Sequence, residues 1–204
     1  MVRLEDPKIC SYCGRELPRE FQARGRLKVR EQWAECQRHR RADLLQECKE
    51  KGYPAAGIAW DALKDRVMGR GEAIRRLLNG ADSRFRHEYQ RIVDRGEDRA
   101  PITSRRNHVL GYYGMKGFAM ISDILMTNFA GELRERAPYD PLIRARAPVE
   151  FVHYVIIPEL AVQIVMEDMG VGSWDEARNI LEESKQLGGM LFPCGSSDRI
   201  ARRR

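Results

Sequence analysis

The stretch from Phe151 to Met169 is apolar on almost every side of a helix, and it constrains the fold more than any other feature of the sequence. A helix apolar all round has to be surrounded by other elements, so it predicts a central, buried rod with the remaining helices packed about it. Pro158 should kink that rod or begin a new turn within it. His153, Pro158, Glu159, Gln163, Glu167 and Asp168 interrupt the run, which therefore falls short of the ~20 apolar residues a bilayer span requires. No membrane partner is expected.

The elements that would surround this rod are also helical by their spacing. Ile74, Leu77 and Leu78 make one apolar face that stops at Asn79-Gly80, and Phe85, Tyr89, Ile92 and Val93 make another that stops near Gly96. Phe118, Ile121, Leu125, Phe129 and Leu133 recur at steps of three and four, predicting one helix over 115–136. Ser173-Trp174-Asp175-Glu176 is a capping box opening a helix whose buried stripe is Trp174, Ala177, Ile180, Leu181 and Leu187. Ala137-Pro138-Tyr139-Asp140-Pro141 reads as the joint between two long helices, and 53–57 and 96–101 read as loops. Nowhere do apolar and polar residues alternate as in a strand. The expected class is mainly α: a helical domain over 58–193, preceded by a zinc-binding lobe over 1–50 and followed by a flexible basic tail over 194–204.

The lobe is inferred from cysteine and histidine spacing. Cys10-x2-Cys13 is followed by Gly14, and 22 residues separate Cys13 from Cys36-x2-His39. The first pair fits a tight knuckle whose N–H groups can donate to thiolate, and the second pair, three apart on a helix, points to one side. Three thiolates and one imidazole complete a tetrahedral set for Zn2+ and leave no position for water, which fits a structural metal rather than a catalytic one. The competing readings are ordinary buried thiols or a redox Cys-x2-Cys, the latter lacking its usual βαβ setting. Cys48 is a core thiol or a substitute ligand for His39, and Cys194 carries no assigned role. With Met1 to Lys8 mixing acids and bases ahead of no apolar run, a secretory signal is not expected, and five cysteines then imply a reducing compartment.

Charge points to an anionic partner. Residues 1–149 hold 30 Lys and Arg against 21 Asp and Glu, a net of +9, while the last 55 residues carry 6 against 9. Arg outnumbers Lys by 29 to 7, a balance that suits forked phosphate contacts and that codon composition also produces. Zinc would fix Arg38, Arg40 and Arg41 on the outside of their helix, beside a second basic surface of Arg105, Arg106 and Lys116. Gly111-Tyr112-Tyr113-Gly114-Met115-Lys116-Gly117 adds two aromatic rings to those cations. That combination serves single-stranded nucleic acid if Tyr112 and Tyr113 are exposed. Buried, they pack the helix entry against the core, and the sequence leaves both readings open.

Catalytic motifs are missing. There is no Gly-x-Ser-x-Gly elbow, no His-Glu-x-x-His, no phosphate-binding Gly-x4-Gly-Lys-Ser/Thr and no dinucleotide fingerprint. His87, His108 and His153 are scattered, and Glu159, Glu167 and Asp168 read as a solvated or salt-bridged face before they read as a hydrolase site. A non-enzymatic binding module is expected. Its partner is nucleic acid, DNA first, with a chromatin-protein scaffold as the alternative and a zinc-linked nuclease using Asn107-His108 as the least favoured.

Cys10-x2-Cys13, Cys36 to Arg40, Gly111 to Gly117, Val155-Ile156-Ile157-Pro158-Glu159-Leu160, Glu167-Asp168-Met169-Gly170 and Glu183-Ser184 follow one another in this order. Together they resemble the restriction-of-telomere-capping domain of fungal proteins, from about Lys8 to Phe192. The resemblance implies a nuclear or nucleocytoplasmic protein tied to chromosome-end protection, with no established chemistry to carry over.

Overall fold

The structure, a computed structural model describing residues 9–22, 28–96 and 110–193, has the apolar rod foreseen above at the centre of its helical unit. It is built in three pieces: α9 (Pro148–Phe151), a π turn over Val152–Ile156, and α10 (Ile157–Met169). Pro158 stands in the first turn of α10, where its missing N–H costs nothing, and the preceding residues take up the wider π spacing. By length and composition Pro148–Met169 would reach across a bilayer. Here Phe151, Val152, Val155, Ile156, Ile157, Leu160, Val162 and Val165 are all fully buried, so the run is the core of a helical body.

The chain divides into two units, Met1–Lys51 and Gly52–Arg204. In the second unit α3 (Leu63–Met68), α4 (Gly71–Leu78), α5 (Arg84–Asp94), α6 (Gly114–Asn128), α7 (Ala130–Arg136), α8 (Pro141–Ala145) and α11 (Trp174–Leu191) accompany the rod. Ser83 and Ser173 cap α5 and α11 by accepting from Arg86 N and Glu176 N. Asp140 caps α8 through Leu142 N, so the expected joint between two long helices carries short helices of its own. The single helix expected over 115–136 is broken at Phe129, whose φ is -117°; Asn128 and Gly131 flank the break, and the Asn128 side chain donates to Ile124 O. Its apolar face is nonetheless continuous, with Phe118, Ile121, Leu125, Phe129 and Leu133 all buried.

The Gly111–Gly117 segment is the joint that docks α11. Gly111–Tyr113 form a 3-10 turn, and Gly114 takes φ +62°, open to glycine. A Cβ on Gly188 would sit 1.9 Å from Gly111 O, and one on Gly114 would sit 2.2 Å from Gly188 O. Backbone meets backbone there because no side chain intervenes. Met115 N and Lys116 N then donate to Phe192 O, tying the start of α6 to the end of α11.

The first unit contains α1 (Arg19–Gln22) and α2 (Val29–Glu50). Among the described residues the only extended pairing is an isolated bridge between Ile9 and Glu16. The whole is mainly α.

Candidate metal centre and candidate nucleic-acid interface

The Ile9–Glu16 bridge closes a knuckle: Cys10 N donates to Arg15 O at 2.7 Å, and Gly14 N donates to Cys10 O at 2.8 Å. Gly14 adopts φ +72°, which a side chain there would resist. The knuckle presents Cys10 and Cys13 to α2, which brings up Cys36, and the three sulfurs lie within 4.8 Å of one another. Nδ1 of His39, one turn on from Cys36, stands 3.2 Å from the Cys13 sulfur. Ligand atoms of a tetrahedral zinc site are separated by roughly 3.6 to 3.8 Å, given bonds of about 2.1 Å to nitrogen and 2.3 Å to sulfur. Three close cysteines that could hold a metal, with an imidazole nitrogen beside them, are therefore in place. Cys48 lies 12 residues beyond Cys36 on the same helix, about 18 Å away along its axis, and so cannot substitute for His39.

The thiols respond to one another. Burial pushes Cys10 up, but N–H groups of Tyr12 and Cys13 point at its sulfur and prevail, holding it below the ordinary thiol value. Cys36 is pushed up, first by burial and then by the two neighbouring sulfurs. Arg15 braces the knuckle on α2, reaching His39 O at 3.5 Å and pairing with Asp43.

The basic residues read from the sequence separate into groups. On α2, Arg40 and Arg41 are exposed; Arg38 is exposed as well, and its guanidinium bonds Glu35, whose carboxylate is buried, at 2.9 Å. Arg105, Arg106, Asn107 and His108 lie outside the described residues. The Lys116 ammonium sits 4.6 Å over the Trp60 ring, a cation–π contact within the helical unit.

Tyr112 and Tyr113 are 0% and 2% exposed, which corrects their assignment as stacking faces for a ligand. Each donates its hydroxyl to Asp168 Oδ2, at 2.8 and 2.6 Å, while Arg66 bonds Asp168 Oδ1 at 2.7 Å and Tyr113 Oη at 3.0 Å. Glu167 completes the cluster by accepting from Arg66 and Arg70. Tyr53 stacks on Tyr112, and Trp60 meets Tyr113 edge-on. Burial raises both tyrosine pKa values, with Asp168 adding to the effect, and Arg70 and Arg66 lower that of Glu167. The face carrying Glu167 and Asp168 is thus salt-bridged and structural. Arg66, which organises it, lies 102 residues from Asp168, and no local pattern marks it.

A cavity of about 190 Å³ opens in the helical unit beside His153, lined by Phe85, Tyr154 and Leu181 among others. The charges at its wall pair with each other, Arg178 with Glu88 and Lys185 with Glu182, both at 2.7 Å. His153 lies 3.0 Å from Ser122 Oγ and against the Phe118 ring.

Comparison with known proteins adds two kinds of finding. The model of the RTC4-like domain matches residues 79–193, more than half the chain and starting well after the cysteine lobe. A protein called restriction of telomere capping protein 4 from Kluyveromyces lactis is 21% identical over 138 residues, 64% of this chain and 36% of that protein. Its namesake from Eremothecium gossypii is 26% identical over 78 residues, 38% of this chain and 19% of that one. The chain thus spans about a third or less of the length of these relatives. No solved structure matches.

Proposed function

Because this chain belongs to the RTC4-like domain family, we propose that it is a non-enzymatic binding module for nucleic acid, DNA first, serving chromosome-end or chromatin maintenance in the nucleus. Its N-terminal lobe is held by a structural Zn2+ on Cys10, Cys13, Cys36 and His39. The observation that carries this reading is the cluster of Cys10, Cys13 and Cys36, with His39 Nδ1 against the Cys13 sulfur, which ties the knuckle to the helix bearing the exposed Arg38, Arg40 and Arg41: a metal there would fix the helix, and the helix presents the cations. The relatives' printed name supplies the link to telomeres. Arg105 and Arg106 extend the basic surface by sequence alone.

Fluorescence anisotropy with labelled DNA at increasing salt tests it. Log affinity should fall linearly with log salt, by about 0.7 to 0.9 per neutralised phosphate, and reversal of Arg40 and Arg41 to Glu should weaken binding broadly across sequences. An affinity indifferent to both would contradict it. The cavity beside His153, built entirely from residues within the family-matched range, favours a second reading in which the helical unit docks a chromatin protein. Tight capture of histones alongside weak binding of bare DNA would promote that scaffold.

A further inference from the structure

The rings that a nucleic-acid ligand needs are missing from the Gly111–Gly117 segment, where they are core, but the metal-binding lobe exposes two others. Trp33 is 56% exposed and Tyr12 is 52% exposed. The two remaining tryptophans are engaged within the helical unit, Trp60 with Tyr113 and Phe192, and Trp174 with Phe85 and two arginines. Exposed, each ring offers a face on which a planar ligand group can stack.

Both rings are positioned by the candidate metal centre. Tyr12 stands between Cys10 and Cys13 in the knuckle, and Trp33 precedes Cys36 by one helical turn. The sulfurs of Cys13 and Cys36 lie within 4.8 Å of each other, so one cluster holds the backbone of both rings. Along α2, Arg30, Trp33, Gln37, Arg40 and Arg41 recur at helical spacing on one side over roughly 16 Å. Two acids fall within that stretch. Glu31 accepts from Lys28 N at the start of the helix, and Glu35 is buried against Arg38. The strip is therefore cationic with an indole in its midst.

We propose that this lobe is a stacking platform for single-stranded nucleic acid, with unpaired bases on Trp33 and Tyr12 and phosphates on Arg30, Arg40 and Arg41. An unpaired base offers a free π-face to an indole, whereas duplex bases are already stacked on their neighbours, so the rings favour single strands. The inference rests on the nucleic-acid reading above and moves its aromatic component from the helical unit to the lobe.

The test uses the zinc-loaded full chain with labelled oligo-dT, oligo-U, a duplex of equal length and poly-glutamate. Trp33→Ala should weaken single-strand binding roughly 5- to 140-fold while barely affecting duplex, and Trp33→Phe should restore most of the loss. Tyr12→Ala should act in the same direction. The dT and U arms show which sugar the strip accepts. Zinc content and circular dichroism of each variant establish that the lobe stays folded. Salt-dependent binding that ignores both alanine variants would overturn the platform and leave the nucleic-acid reading intact. No binding of any oligonucleotide would overturn both. Tighter capture of poly-glutamate, with the same loss in Trp33→Ala, would make the strip a site for acidic protein instead.

Discussion

Among the described residues between Ile9 and Glu50 the buried apolar side chains are Cys10, Leu17 and Cys36, with Phe21 against them, and Cys48 further along α2, whereas the helical unit surrounds a rod of fully buried Val, Ile, Leu and Phe with further buried side chains from its other helices. The difference explains why each holds together. A unit of about fifty residues with so little to bury does not overcome the entropy of ordering its chain, and the tetrahedral metal proposed above would supply what the core lacks. The helical unit needs no such help, since apolar burial dominates it, and Tyr112, Tyr113 and Arg66 converge on Asp168. Two of the lobe's few buried apolar side chains are themselves metal-site cysteines, so core and ligand set largely coincide there.

Substitutions that strike one unit and spare the other test this contrast. The largest effect is expected from Cys13→Ser, which removes one of the proposed ligands of a metal whose whole binding free energy is on the order of 10 kcal/mol. Limited proteolysis should then cut within 9–50 and leave a resistant 52–193 fragment. In the other unit, Gly188→Ala forces a Cβ to within 1.9 Å of a backbone oxygen and should cost more than about 4 kcal/mol, read as a lowered melting transition with zinc content unchanged. Asp168→Ala leaves two buried tyrosine hydroxyls without their shared acceptor and Arg66 with Glu167 as its remaining carboxylate, and should cost about 1 to 3 kcal/mol per hydroxyl in urea denaturation.

The smallest effect concerns Glu159, whose pKa burial raises above 4.5 even though Trp174 and Ser83 donate to it. The folded state holds this proton more tightly than the unfolded one, so the contribution to stability is full below about pH 4.5 and fades as pH rises through the raised value. Glu159→Gln should flatten that part of the stability profile and leave the lobe unchanged.

What the sequence made legible was local. The capping serines, the break at Asn79-Gly80 and the all-round apolar rod are set by residues within one or two turns, and each appears where its spacing places it. The approach of Cys10, Cys13 and Cys36 was legible too, because two short pairs announce their own geometry. Long-range placement was not. Whether Tyr112 and Tyr113 face a ligand or the core depends on Asp168, about fifty-five residues later, and on Arg66 from the other direction. The exposure of Trp33 was equally hidden, since it follows from how little the lobe has to pack against α2.

The contrast between the units is most directly tested by amide exchange of the full chain, resolved by peptide, before and after a zinc chelator is added. If the metal builds the lobe, peptides within 9–50 lose protection on chelation while those of α3 to α11 keep theirs, with about one equivalent of zinc released per chain. Unchanged protection within 9–50, or joint loss across both units, would contradict it.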